Sequence, residues 1–180
     1  MATVKDILNF WFEETEPEQQ FEKNPVFDET IRSRIGAAYE AAVAGDMDHW
    51  EADPASCLAL VILLDQFSRN MFRDNARMYE SDAKVLAIAK RAVVDGGYKS
   101  LPKDQQRFLF LPYEHSEDLE DQKTCMALMG ALDDKRNVEY AWNHLVIVER
   151  FGRFPHRNAI VGRTSTAEEI AFLKEPNSSF

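Results

Sequence analysis

Four arginines and a histidine fall within the fourteen residues from Arg150 to Arg163, with no acid among them, in a chain of formal net charge −10. Guanidiniums gathered in space repel one another unless something anionic sits between them, either carboxylates of the fold or a ligand. Arg150, Arg153, His156, Arg157, Asn158 and Arg163 therefore mark a place that calls for negative charge. A second group lies where an apolar run turns polar. Asp65 and Arg69 are four apart with the acid first, the spacing of an intrahelical ion pair, and Arg73 continues the same face past Asn70. One acid then faces two arginines, which leaves positive charge over. A third group, Glu114-His115-Ser116-Glu117-Asp118 followed by Gln122, sets a histidine among three carboxylates. Such neighbours favour the imidazolium and suit an acid/base couple. Glu117 and Asp118 after Ser116 also read as acids in the first turn of a helix. His144 stands on an apolar helical face, which makes it a hydrogen-bonded core residue or, given the arginines that follow, a group within reach of a bound ligand.

These residues define two sets. The ligand-binding candidates are Arg69, Asn70, Arg73, Arg150, Arg153, His156, Arg157, Asn158 and Arg163, and the partner they fit is a small anion or an acidic peptide segment. The catalytic candidates are His115, His144, Asp65 and Glu117, for a hydrolase or lyase working by acid/base transfer. A third possibility makes the motifs an internal ionic network and leaves function to protein contacts on another face. No HExxH, EF-hand or Glu-x-x-His pattern predicts a metal, and no GxSxG, GxxxxGK or GxGxxG run predicts a nucleophile elbow or a nucleotide cofactor. Cys57 and Cys125 sit in apolar helical text without ligand spacing and read as buried reduced thiols. A pI near 4.9 argues against nucleic acid, and the longest apolar run, Cys57 to Leu64, is too short to span a bilayer. A soluble cytoplasmic protein is the expectation.

The elements that must position these groups are helical. Seven glycines and seven prolines in 180 residues, with no linker or hairpin signal, predict one all-α domain over 1–180. Thr3 and Asp6 cap a first helix through Ile7 and Trp11, followed by a solvated acidic loop over Glu13 to Glu22. Asn24-Pro25 opens a second helix that closes at Gly45, and Asp53-Pro54 opens a third, apolar on every face through Leu64 and so central. A fourth covers Ala76 to Val94. A fifth begins at Pro102 and is disturbed at Pro112. Ser116 caps a sixth to about Leu132, a seventh spans Asn137 to Phe151, and Thr166 to Glu169 is a capping box for a short eighth. The resulting expectation is an antiparallel array of about eight helices. No tetratricopeptide consensus spacing is present, and the echo between Phe67-Ser-Arg-Asn70 and Phe154-Pro-His-Arg-Asn158 reads as coincidence.

Trp11-Phe12, the segments Leu63 to Asn70 and Leu111 to Asp118 with Gln122, and Arg150 to Asn158 with Gly162, Arg163 and Thr166 occur in one order along the whole chain. In these motifs the sequence resembles the bacterial family called domain of unknown function 924. The resemblance implies an all-α fold of the tetratricopeptide-like superhelical type. It implies no activity, cofactor or catalytic assignment.

Overall fold

The computed structural model describes residues 1–179. Among them there are eight helices and no strand. Helix α1, Val4–Asn9, runs on into a π-helical turn, Phe10–Glu14; Thr3 and Asp6 close its capping box. Helix α2 is Pro25–Ala44, capped by Asn24 and ended by Gly45 at φ +95°. Helix α3 runs from Pro54–Val61 through a π-helical turn, Ile62–Gln66, to Phe67–Met71. Then follow α4, Asp82–Asp95; α5, Lys103–Glu114; α6, Leu119–Gly130; α7, Lys135–Phe151; and α8, Ala167–Phe172.

Every residue from Cys57 to Ser68 is buried, because α3 is enclosed by α1, α2, α4 and α5. This is the physical meaning of a helix apolar all round. Trp11, Phe67 and Phe108 meet edge to face in this core, with ring centroids 5.2 and 5.8 Å apart. A smaller second core joins Ile147, Val148, Phe154 and Phe172 at the C-terminal end. Phe154 is fully buried and ties the arginine-rich segment down.

Four local expectations need correction. The expected fourth helix is split: Ala76–Tyr79 is a 3-10 turn and α4 begins at Asp82, because the intervening turn folds Ser81 back to donate to the Leu64 carbonyl. Helix α5 runs on to Glu114 with Pro112 inside its last full turn, without a break at the expected point of disturbance. The cap of α6 is Asp118, which accepts from the N–H groups of Glu120 and Asp121, so Ser116 and Glu117 lie outside the helix. Helix α7 starts at Lys135, two residues before the expected Asn137, because Asp134 supplies the cap.

Candidate functional site

The three motif segments converge where the C-terminal end of α3, the start of α4 and the turn between α5 and α6 meet the segment after α7. Asp65 lies in the π-helical turn of α3, an irregularity that often marks function because it re-aims a side chain within a helix. It is fully buried. Its Oδ1 accepts from His115 Nδ1 at 2.8 Å and lies 3.1 Å from Arg69, while Oδ2 accepts from Gln66. Burial alone would raise its pKa, but Arg69 and then His115 outweigh it and hold the carboxyl down at about 2.

His115 is the C-cap of α5 and keeps 15% of its side chain exposed. Since ionised Asp65 accepts at Nδ1, that nitrogen carries the proton and Nε2 is the basic one. The expectation of a favoured imidazolium is overturned: burial, then Arg69, pushes its pKa down despite Asp65. The three sequence-adjacent acids are not what it touches. Glu114 points into the core, Glu117 binds an arginine and Asp118 caps α6.

Gln122 fixes this turn. Fully buried, its amide donates to the carbonyls of Tyr113, Glu114 and Ser116 at 3.2, 2.6 and 2.7 Å. His115 and Glu117 are thereby held on one short piece of backbone.

Each arginine has a definite fate. Arg69 donates to both oxygens of Asp82 at 3.0 and 3.2 Å. Arg163 forms a bidentate pair with Glu117 at 2.6 and 2.8 Å, and Glu117 also accepts the Phe154 backbone N–H. Arg153 pairs with Glu169 at 2.6 Å and Arg150 with Glu168 at 3.0 Å, both acids on α8. Arg73 turns away from Arg69 altogether. It binds Asp28 of α2 at 2.6 Å, where Asn70 also donates, so the inference of one acid facing two arginines does not hold. Asn158 is fully buried and donates to Ser165.

Arg157 stands apart. Its nearest carboxylate oxygen is on Asp82 at 3.5 Å, and Asp82 is already held by Arg69. The other five arginines each reach a carboxylate at 3.0 Å or closer. Arg157 donates to the His115 carbonyl at 3.0 Å, and its Nε is buried with no partner. Its guanidinium lies against the rings of Tyr79 and Phe154, 4.7 and 4.5 Å from their centroids. Burial, then repulsion from Arg69, lowers its pKa.

Behind this face lies a second layer of titratable groups. Glu114 is buried, and burial, then the charge of Asp65, pushes its carboxyl up to about 8. His144 donates from Nδ1 to the Tyr140 carbonyl at 2.9 Å, the core-histidine reading, and the same nitrogen is 3.6 Å from Glu114. Its ring centroid is 6.4 Å from that of His115. Burial drives His144 down to about 3 and, with Arg157 next in weight, His156 down to about 4.

The fold thus brings together Asp65, Arg69, His115, Glu117, Arg157 and Arg163, with His144 and His156 adjoining. It leaves Asn70 and Arg73 with α2, and Arg150 and Arg153 with α8. Asp82 and Tyr79 were not among the candidates, because a fourth helix running unbroken from Ala76 gave no reason to single them out; the available signal was an acid after Ser81, a helix start.

A model of a bacterial protein family of unknown function, DUF924, matches residues 7–177. No curated protein matches the chain. Among solved structures, the protein of unknown function ATU0120 from Agrobacterium tumefaciens is similar, with 38% identity over 95% of this chain and 96% of that one, and a TM-score of 0.90. In fold and in sequence over nearly its full length, this chain belongs to the DUF924 family.

Proposed function

We propose that the protein binds a small anionic group, a phosphate or a carboxylate, against Arg157. One observation carries the reading: Arg157 is the motif arginine whose charge the fold leaves undercompensated, with a shared carboxylate at 3.5 Å and an unpartnered Nε. A desolvated guanidinium in this state gains from a charge-assisted bond that a better-paired arginine already has. Arg69 and Tyr79 flank it, and His115 offers Nε2 as acceptor or, once protonated, donor. Asp65, Glu117 and Arg163 hold the frame. The Asp65–His115 bond favours a second reading, acid/base catalysis on the bound anion, because a buried carboxylate on Nδ1 fixes the tautomer that leaves Nε2 basic. A cytoplasmic setting accompanies both readings, since both cysteines are free and buried. Calorimetric titration with inorganic phosphate, citrate and a nucleoside monophosphate tests the proposal. At least one anion is expected to bind wild type and to lose about tenfold or more in affinity in Arg157→Met. Absence of binding by all three, or binding unchanged in the variant, refutes it.

A further inference from the structure

His144 of α7 lies behind the anion face; elsewhere the same helix borders a different feature. Helices α6 and α7 leave a groove of about 430 Å³ between them, floored by Met126, Gly130, Val138 and Trp142. Trp142 is 53% exposed there, an unusual position for the side chain with most to gain from burial in an interface. Gly130 forms an open stretch of the wall: a Cβ built on it meets no heavy atom within 4 Å.

The rim is acidic. Asp133, Asp134 and Glu139 stand against the single cation Lys135, and among the described residues none of these three carboxylates is paired with a cation. Asp134 instead caps α7, accepting from the Arg136 N–H at 2.9 Å. The contrast with the motif face is plain: there, every arginine but Arg157 is matched by a close carboxylate, whereas here negative charge surrounds an apolar slot and stays open to solvent. A second copy of the chain makes a poor occupant, since it carries the same net charge of −10.

We infer that the α6–α7 groove docks a basic peptide segment of a partner protein, which inserts a large apolar side chain against Trp142 and Gly130 while flanking lysines or arginines meet Asp133, Asp134 and Glu139. The apolar anchor supplies affinity through burial, and the charges supply orientation and encounter rate.

The test uses a synthetic lysine-rich peptide with a central phenylalanine, and its counterpart with glutamate at every lysine, titrated calorimetrically into the full-length protein. The lysine peptide is expected to bind, weakening as salt rises, and the glutamate peptide is expected not to. Gly130→Leu fills the slot and, by replacing a helical glycine in open space, keeps the fold, which a thermal melt verifies. It should weaken binding about tenfold, as should Asp133→Asn combined with Glu139→Gln. The proposal is overturned if the lysine peptide fails to bind at around millimolar concentration, if both peptides bind alike, or if Gly130→Leu leaves affinity unchanged. It is also overturned if the free protein self-associates and Gly130→Leu abolishes that association, because the occupant would then be a second copy.

Discussion

At the scale of single residues, the buried groups behind the anion face set a pH signature. The folded protein keeps the Glu114 proton up to about 8, whereas the unfolded chain releases it near 4.5. The folded state therefore binds more protons between those values, and the stability linked to Glu114 is lost as pH rises through that window, by at most about 1.4 kcal/mol per unit. His144 and His156 act in the opposite sense. Their folded values of about 3 and 4 lie below the ordinary 6.5, so their contribution is complete above 6.5 and is lost as pH falls. Together these shifts place maximum stability near pH 6.5, with a decline toward 8 that belongs to Glu114. Urea unfolding across this range is expected to show the decline in wild type and to lose it in Glu114→Gln; an identical slope in both contradicts the assignment. Little of this was legible in the sequence. The Asp65–Arg69 pair is local and could be read from a four-residue spacing, but the partner that decides His115 is fifty residues away, and Glu114 looks like any solvated acid until α5 buries it.

At the scale of elements, boundaries decide which acids are free to act. Glu117 was legible as an acid in the first turn of a helix, yet a shift of two residues in the cap, to Asp118 from Ser116, releases it to receive Arg163 and the Phe154 N–H. The helices themselves were readable from apolar periodicity and caps at Thr3, Asn24, Asp53 and Thr166. The two π-helical turns were not, because one inserted residue leaves the surrounding apolar pattern intact. The α5–α6 turn depends on Gln122, whose amide satisfies three carbonyls at once. Gln122→Ala should cost about 2–3 kcal/mol by leaving buried carbonyls unpaired and opening a small cavity. Gln122→Glu should cost at least as much, since a carboxylate donates nothing to those carbonyls. Denaturant unfolding checks both, and a loss below about 0.5 kcal/mol for either would show that the turn holds without it.

At the scale of the whole molecule, the charges of this acidic protein divide their labour. Five motif arginines join helices to one another: Arg69 links α3 to α4, Arg73 links α3 to α2, Arg150 and Arg153 link the end of α7 to α8, and Arg163 links the C-terminal segment to the turn before α6. Among the described residues, Arg157 is the motif arginine left with a distant, shared acid. No helix is long and apolar enough to cross a membrane among the described residues. The most direct measurement is the unfolding free energy of Arg157→Met beside Arg163→Met, each with and without phosphate at constant ionic strength. Removing Arg163 strands Glu117, which is only partly exposed, and should cost about 2 kcal/mol. Removing Arg157 takes away an undercompensated charge while keeping its apolar stem, so stability should stay within about 1 kcal/mol of wild type, and the stabilisation that phosphate gives wild type should vanish. If Arg157→Met instead destabilises as much as Arg163→Met, and phosphate stabilises neither wild type nor variant, then Arg157 is one more tie in the network and the site is not an anion site.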